Sequence, residues 1–252
     1  MIESSAGGMR LLLIVLAKNE ELQLKQTVHG LQAACSPETV AGITLLLAHN
    51  ATDGCLRVAT ELSESAGQPL PVVLVKQPTS DLPACIRTVL DDRQDITHVM
   101  FLGADYFLES AAIADLVAHA AQDTGSVYKF SRTLPGGAFA SHYKPFLIPL
   151  YRLFCVFTRM LFGRGASDPA FGHGAIPVHI LRGIRYNQTS HMLVVEQMLT
   201  LRRLKIPIVE IPAVQLPRTE HKNSSNLRQR LLYIVAVLRI RFAPLGWIWR
   251  DE

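Results

Sequence analysis

The sequence predicts an α/β fold, a mostly parallel sheet flanked by helices, and two patterns carry this prediction. Four apolar runs begin about 30 residues apart, the length of one strand-plus-helix unit, at residues 11–16, 43–47, 71–75 and 98–102. Each run is continuously apolar instead of alternating, which is typical of strands covered on both faces. Helical patterns separate the runs, so the sequence predicts a doubly wound sheet with ligands at the carboxyl ends of its strands.

Helices fill the intervals between these strands and continue after them. They are predicted at residues 20–34, 54–65, 82–92 and 111–121, with a fifth strand at 127–130. The second half is more apolar, with a helix at 145–162, a Gly-rich loop at 163–174, a helix at 191–204, a strand at 206–214 and a helix from residue 226 that Pro244 ends.

Composition excludes several classes of protein. With 49% hydrophobic residues the chain is not intrinsically disordered. Its four cysteines stand singly, so we expect a reducing compartment and no thiolate zinc site. The longest stretch without a charged residue, 39–52, is shorter than the roughly 20 apolar residues of a membrane-spanning helix, and no span is predicted. The usual motifs of dinucleotide binding, P-loops, serine hydrolases and zinc proteases are absent from the sequence.

The net charge of +4 conceals an asymmetry between the two halves. Residues 1–120 contain 7 Lys and Arg against 14 Asp and Glu, whereas the remainder contains 18 basic and 7 acidic residues. A basic half often faces phosphate, in nucleic acid, anionic lipid or a phosphorylated substrate. An ordinary solvated basic surface is the alternative.

Two apolar helices in the second half indicate contact with a membrane surface. Arg152 and Arg159 interrupt the helix at 145–162 and lie seven residues apart on one face, as in a helix that rests in a bilayer interface. Trp247 and Trp249, close to the carboxyl terminus, also suit that interface. The arginines of the last helix lie on opposite sides of it, so a buried helix or an oligomer contact is the alternative.

Three polar clusters follow three of the predicted strands, at residues 17–21, 48–54 and 103–106. Because the carboxyl ends of parallel strands meet at one edge of a sheet, the clusters are expected to lie where a ligand binds. Each cluster alone also fits a helix cap or a turn. Their coincidence at the same edge favours a binding site.

At these positions the chain resembles the family 2 glycosyltransferases, and among them the dolichyl- and polyprenyl-phosphate sugar transferases. Residues 16–21 resemble the family's P-A-x-N-E-E opening, residues 47–55 its V-D-D-G-S-T-D-G-T segment, and residues 101–105 its metal-binding D-x-D. Further along, residues 167–172 are similar to the D-P-x-x-G of the acceptor loop, Glu196 and 210–212 to the E…E-x-P pattern, and the segment from Arg218 to R-x-x-G-x-S-K. The six motifs stand in the family's order.

The resemblance implies a GT-A fold, a nucleotide-sugar donor and a divalent cation, Mg²⁺ or Mn²⁺. It assigns residues 10–135 to the donor, 136–225 to the acceptor and 226–252 to a C-terminal apolar, basic helix. The donor-binding residues it implies are Ala17, Asn19, Glu20, His49, Asp53, Gly103 and Ala104. It further implies Asp105 as the metal ligand, Asp105 and Asp168 as catalytic residues, and Glu196, Arg218 and Lys222 as acceptor-binding residues.

The acceptor that the resemblance implies is a polyprenyl phosphate or another membrane-associated molecule. We therefore expect a cytoplasmic protein, peripheral on the inner face of the cell membrane, that binds no nucleic acid and forms a homo-oligomer. In such an enzyme the cation offsets charge on the departing nucleotide. An acceptor phosphate is an adequate nucleophile and needs little help from a general base.

Two other interpretations stay open. Ala48 and His49 stand in place of the family's paired aspartates, and Gly103 replaces the first aspartate of D-x-D, which favours a catalytically impaired GT-A protein that acts as a binding or scaffold module. An active enzyme with a saccharide acceptor would instead need a general base near Asp168 or Glu196.

Overall fold

A seven-stranded mixed sheet organises the protein in a computed structural model that describes residues 8–51, 54–105, 108–141, 143, 145–163, 167–187, 192–217 and 227–250. The strands are β1 Leu11–Ala17, β2 Val40–Leu47, β3 Val72–Lys76, β4 His98–Gly103, β5 Val127–Ser131, β6 Gly174–Pro177 and β7 Ile208–Pro212. The helices are α1 Glu21–Ala34, α2 Cys55–Glu64, α3 Leu82–Asp91, α4 Ser110–Gln122, α5 Leu147–Phe162, α6 Val178–Gly183, α7 Met192–Arg203, α8 Leu227–Phe242 and α9 Leu245–Ile248.

The strand order is β3-β2-β1-β4-β6-β5-β7, and only the pairings of β6 within this sheet are antiparallel. Both β4 and β5 run antiparallel to β6, so they run in the same direction as each other. The carboxyl ends of β1, β2, β4 and β5 consequently lie along one edge of the sheet. The predicted segments 10–135 and 136–225 contribute strands to this same sheet, and their boundaries stay predictions.

The core lies on both faces of the sheet, as the continuous apolar runs predict. Leu11, Leu13 and Val15 of β1 pack with α1, α2 and α4, whereas Leu12 and Ile14 of the same strand pack with α3, α6 and α7. Successive side chains of a strand point to opposite faces, so every position of β1 contributes to one layer or the other. The predicted α/β class and its helix-flanked, mostly parallel sheet are therefore confirmed.

The helices α5 and α8 lie outside this two-layer arrangement, on α7. Val195 and Leu199 of α7 pack against Val237 and Ile240 of α8, with Phe154 of α5 beside them. Among the described helices, none combines the length and the hydropathy that crossing a bilayer requires.

The sequence patterns missed β6, α6 and α9. The four residues of β6 include Gly174 and Pro177 and lack any alternation, so periodicity gives no signal. Tertiary packing requires the glycine, because a Cβ at residue 174 would lie 2.4 Å from the carbonyl oxygen of Tyr128.

Candidate functional site

The loops that follow β1, β2 and β4 start level with one another at the carboxyl edge of the sheet. Ala17 pairs with Leu47, and Leu16 pairs with Gly103. Beyond the strands, the amide of Ala48 donates to the Ala17 carbonyl at 2.9 Å, and the ladder between β1 and β4 ends on a similar bond. The three polar clusters predicted from the sequence therefore leave neighbouring strands at the same height.

Asn19 turns the chain from β1 into α1. Its φ of +59° is in the left-handed region, which asparagine tolerates better than most residues. The following Glu20 is the N-cap of α1, where its carboxylate accepts a hydrogen bond from the amide of Lys18 and its own amide donates to the Cys55 sulfur at 3.1 Å. This geometry ties the loop after β1 to the start of α2.

Glu21 links the same two loops through its carboxylate. One oxygen accepts from the amide of Gly54 at 3.0 Å, and the other accepts from the Arg57 guanidinium at 2.7 Å. A Cβ at residue 54 would lie 2.2 Å from this carboxylate, so a larger residue there would displace the Glu21 side chain. His49 is exposed on this side of the sheet, whereas Asp53 lies outside the described residues.

The loop after β4 is held from behind by α1. The hydroxyl of Thr27 donates to the carbonyl of Ala104 at 2.9 Å, and Ala104 is buried. Gly103 and Asp105, on either side of it, are half-buried. A small pocket opens beside this loop, and it is lined by Thr27, Leu31, Leu102, Gly103, Leu108, Ser110, Ile113 and His173. The structure thus places Asp105 at the edge shared with Asn19 and His49.

No group of three or more His, Cys, Asp or Glu side chains suited to a metal ion occurs among the described residues. The described part of the loop after β4 offers two carboxylates, that of Asp105 and that of Glu109, which is exposed directly before α4. Mg²⁺ in phosphate-binding sites is often held by one or two carboxylates, with substrate phosphates and water completing its shell. The residues at this edge therefore fit a cation that arrives with a diphosphate.

A second polar cluster lies at the carboxyl end of β5, on the same edge. The Arg132 guanidinium forms two hydrogen bonds with the Asp168 carboxylate, at 2.8 and 2.9 Å, and the Arg132 amide donates to it at 3.0 Å. The Tyr151 hydroxyl of α5 donates to the same carboxylate, and the Lys129 ammonium donates to the Asp168 carbonyl. These contacts join β5, α5 and the loop before β6.

Aromatic rings enclose the guanidinium of Arg132. Its central carbon lies 4.4 Å from the ring centroid of Phe171, 4.7 Å from that of Phe139 and 5.2 Å from that of Tyr151. The Gln215 side-chain oxygen accepts a further hydrogen bond at 3.1 Å. A cation among ring faces is stabilised by their negative potential, which adds to the ion pair.

The carboxylate of Asp168 is fully buried. Burial by itself raises the pKa of this carboxyl, but the hydrogen bonds and charge of Arg132 outweigh it and hold the pKa below its ordinary value. A buried carboxylate that is already paired is a poor proton acceptor and does not reach a substrate. Asp168 thus holds the loop before β6 against Arg132 of the segment after β5, and the catalytic role predicted for it stays a prediction.

The other predicted acceptor-binding residues do not take part in the cluster around Arg132 and Asp168 that the structure describes. Both carboxylate oxygens of Glu196, which is 1% exposed, accept from the amide of Asn187 at 2.9 and 3.0 Å. Asp168 and Glu196 share no partner among the contacts that the structure describes. Arg218 and Lys222 lie outside the described residues. The roles predicted for these three residues stay predictions.

Glu210, the second glutamate of the E…E-x-P pattern, fastens the loop before β6. It accepts from the amide and the hydroxyl of Ser167 at 2.6 and 3.0 Å. The Ser167 hydroxyl also contacts the hydroxyls of Ser131 and Thr133, at 2.7 and 2.9 Å. The loop that carries Asp168 is therefore anchored to the ends of both β5 and β7.

His173 lies between the two clusters, as its backbone and ring contacts place it. Its Nδ1 is 3.1 Å from the carbonyl of Phe101 in β4, and its own carbonyl accepts from the amide of Phe130 in β5. The carbonyl can only accept, so Nδ1 carries the proton. Neither Lys129 nor Arg132 is among the residues predicted from the sequence, although charged residues in and after an apolar strand are a signal of burial with partners.

Solved structures resemble this architecture throughout. The glucosyl-3-phosphoglycerate synthase of Mycobacterium tuberculosis with UDP matches with a TM-score of 0.65 and 17% identity, over 95% of this chain and 82% of the other. Its complex with Mn²⁺, UDP and phosphoglyceric acid matches with a TM-score of 0.67 and 16% identity, over 95% and 80%. The chain has the GT-A fold.

The GT-A assignment rests on structure alone. No protein-family model and no curated protein sequence matches the chain. A third similar structure, described as a mycobacterial protein, has a TM-score of 0.67 and 16% identity, over 95% of this chain and 76% of the other. At such identities the shared feature is the GT-A fold, and it confirms the fold predicted from the six motifs.

Proposed function

We propose that this protein is a family 2 glycosyltransferase, of the hexosyltransferase class, that moves a sugar from a nucleotide-sugar donor to a phosphate-bearing, membrane-associated acceptor. One observation carries the proposal. The polar loops after β1, β2 and β4 begin at the same height, side by side, at one edge of a GT-A sheet. That edge is where α/β sheets bind their ligands. The similar mycobacterial structures contain UDP at a fold of this kind.

On the donor side, the loop backbones and Asp105 supply the groups that a nucleotide diphosphate needs. Asn19, His49 and the backbone of Gly103 and Ala104 would contact the nucleotide-sugar, and Asp105 would hold Mg²⁺ or Mn²⁺ against the diphosphate. Such a cation supplies stabilisation of the charge that develops on the departing nucleotide. A single loop carboxylate binds a cation weakly on its own, so metal affinity is expected to depend on the donor.

On the acceptor side, the burial of the two candidate bases favours a nucleophile that needs none. Asp168 is saturated by Arg132 and Tyr151, and Glu196 is turned towards the backbone of Asn187. A phosphate oxygen is negatively charged at neutral pH and can attack the anomeric carbon without losing a proton. A saccharide hydroxyl would require a base that these two carboxylates do not offer.

A polyprenyl phosphate is the acceptor that we favour, since the second half is both basic and apolar at its surface. Arg218 and Lys222 would hold its phosphate, and the apolar helices would accommodate its tail. The protein would then work on the inner face of the cell membrane, in cell-envelope synthesis. The phosphoglyceric acid in several of the similar crystal structures makes a small phosphorylated acid the alternative acceptor.

The test is a donor-consumption assay with the full chain, UDP-, GDP- or CMP-sugars, Mn²⁺ or Mg²⁺, and either polyprenyl phosphate in vesicles or phosphoglyceric acid. We expect transfer to the lipid phosphate, and Asp105→Ala should reduce it about 100-fold or more, because the charge on the leaving diphosphate loses its stabilisation. Asp115→Ala, on the exposed side of α4, is the matched control and should retain activity. Consumption of no donor with either metal would reject the enzyme.

A binding module without catalysis is the second candidate, and Gly103 and Ala48 are the residues that favour it. Calorimetry separates the two candidates. An enzyme binds the nucleotide-sugar with Mn²⁺ and loses that binding in Asp105→Ala, whereas a scaffold binds no nucleotide-sugar at all.

A further inference from the structure

The helices α5 and α8 expose large apolar side chains. On α5 these are Leu150, Leu153, Val156 and Met160, and on α8 they are Leu232, Ile234, Val235, Leu238 and Phe242. Met160 is 80% exposed and Phe242 is 73% exposed, so these side chains are not partly buried residues at the edge of a hydrophobic core. Large apolar side chains exposed in this number on two neighbouring helices mark an interaction site. We call these nine side chains the α5–α8 surface.

The two helices are neighbours on α7. They pack next to each other through Phe154 and Tyr233, whose ring centroids lie 6.2 Å apart. Their inner faces rest on α7, in a cluster with Val195 and Leu199. Because both helices turn their inner faces to α7, the exposed stripe of each points away from it.

The carboxyl end of the chain fixes the position of α8. Trp249 forms an antiparallel bridge with Ile184, the amide of Arg250 donates to the Gly183 carbonyl at 2.8 Å, and the amide of Arg185 donates to the Ile248 carbonyl at 2.9 Å. The apolar helices are therefore attached to the sheet layer at a defined place. The α5–α8 surface is part of the folded protein and not a loose tail.

The charge of the three outer helices has one sign. Together α5, α8 and α9 contain six arginines and no lysine, aspartate or glutamate. Arg152 and Arg159 are exposed and, at 3.6 residues per turn, border the apolar stripe of α5 on one side. Arg239 and Arg241 are exposed next to the stripe of α8. Apolar side chains bordered by arginines match the boundary between acyl chains and anionic headgroups.

We infer that the α5–α8 surface docks on an anionic phospholipid bilayer, with the apolar side chains below the headgroups and the arginines among them. A second copy of the chain fits this surface less well, because an isologous contact sets the same patch against itself and would bring arginines together without a carboxylate on these helices. The inference concerns binding to lipid. It holds whether or not the proposed transfer reaction takes place.

The experiment measures binding of the full chain to sedimented vesicles of phosphatidylcholine alone and of phosphatidylcholine mixed with phosphatidylglycerol. We expect binding to the mixed vesicles, weakened by salt, with a blue shift in the fluorescence of Trp247, which is 41% exposed. The double variant Leu153→Glu and Met160→Glu should reduce the partition coefficient about tenfold or more, since it places charge in the acyl layer. Both side chains are exposed, so thermal unfolding should be unchanged.

The matched control is Leu22→Glu with Leu56→Glu, which makes the same chemical change at two exposed helical leucines of the first half. It should bind vesicles as the parent does, whereas Arg152→Gln with Arg159→Gln should lose the preference for phosphatidylglycerol. Equal binding by Leu153→Glu with Met160→Glu and by the control would overturn the inference. A second result would also overturn it. In this result the parent does not bind vesicles but forms a concentration-dependent dimer in sedimentation without lipid, and only the variant Leu153→Glu with Met160→Glu dissociates that dimer.

Discussion

The two halves of this protein distribute polar and apolar side chains in opposite ways. Among the described residues, every buried Lys, Arg, Asp or Glu lies from β5 onward: Lys129, Arg132, Asp168, Glu196 and Arg202. Of the large apolar side chains that are exposed in the described part of the chain, three lie before β5, namely Leu22, Leu56 and Val73, and fourteen lie after it. The first half has an ordinary apolar core with a polar surface, and the second half partly inverts that arrangement.

This difference indicates which half would carry out the chemistry and which would attach the protein to a surface. Burying a charge is costly unless a partner offsets it, and in the second half the buried pair of Arg132 with Asp168 holds the loop before β6. The first half keeps its polar loop residues at the sheet edge, where a ligand can reach them. Chemistry is thus expected at the edge formed by β1, β2 and β4, and attachment to a surface is expected in the second half.

The largest effect on stability should come from breaking the buried pair of the second half. Asp168→Asn leaves the Arg132 guanidinium buried without a counter-charge and should lower the free energy of unfolding by about 3–5 kcal/mol. Urea titration measures it as a shift in the midpoint at constant slope.

The matched control is a similar pair in the first half. Arg93 forms two hydrogen bonds with Asp95, at 2.8 and 2.9 Å, but the Asp95 side chain is 47% exposed. Asp95→Asn should cost no more than about 1 kcal/mol, because water screens the pair. Equal losses from the two variants would show that burial does not distinguish the two halves.

A smaller loss should follow from disturbing the carboxyl-terminal attachment. A Cβ at residue 183 would lie 2.4 Å from the Trp249 ring, which would have to shift to make room for it. Gly183→Ala should therefore destabilise the protein by about 1–3 kcal/mol in thermal or urea unfolding. Gly246→Ala meets no atom within 4 Å and should be close to neutral. A neutral Gly183→Ala would mean that the chain end is held more loosely than the contacts indicate.

The smallest effect is a difference in pH dependence between the halves. In the first half, burial lowers the pKa of His98 below 6.5, although its contact with the Thr124 carbonyl opposes this. A base whose pKa is depressed by folding contributes stability above 6.5 that is lost as the pH falls through its folded value. The unfolding free energy should therefore fall between neutral and mildly acidic pH, and His98→Gln should flatten that part of the curve.

In the second half, the group whose titration affects stability is Asp168. It titrates at lower pH than His98. Its pKa in the folded protein lies below the ordinary 3.8, so its contribution is complete above 3.8 and disappears only as the pH falls through the lower, folded value. Urea titrations across both windows, in the parent and the two variants, test the assignment. A His98→Gln curve that kept the full slope near neutrality would contradict it.

Much of the fold could be predicted because a parallel sheet leaves a strong trace in sequence. The continuous apolar runs at β1, β2 and β4 follow directly from burial on both faces, and each lies at its predicted place. The position of β6 could not be predicted, since its four residues are selected by neighbours distant in the chain. Gly174 fits there only because Tyr128 and Lys129 pass close to it.

The candidate site could be predicted where it depends on the ends of the strands. Strand ends placed Asn19, His49 and Asp105 at one edge from sequence alone, because the rule about carboxyl ends needs only strand order and direction. Asp168 shows the limit of that reasoning. An Asp-Pro loop looks alike in sequence whether its carboxylate faces a substrate or a guanidinium 36 residues earlier in the chain.

The sequence by itself determined the alternation of strands and helices, the acidic and basic halves, and the three polar loops, because these depend on neighbours along the chain. Tertiary structure alone decided which charges are buried and which apolar helix faces are exposed. Arg132, Asp168 and Tyr151 meet through three separate segments, and α5 and α8 have outer faces only once α7 lies beneath them. Pairing and exposure are properties of contacts between distant residues, and local patterns do not encode them.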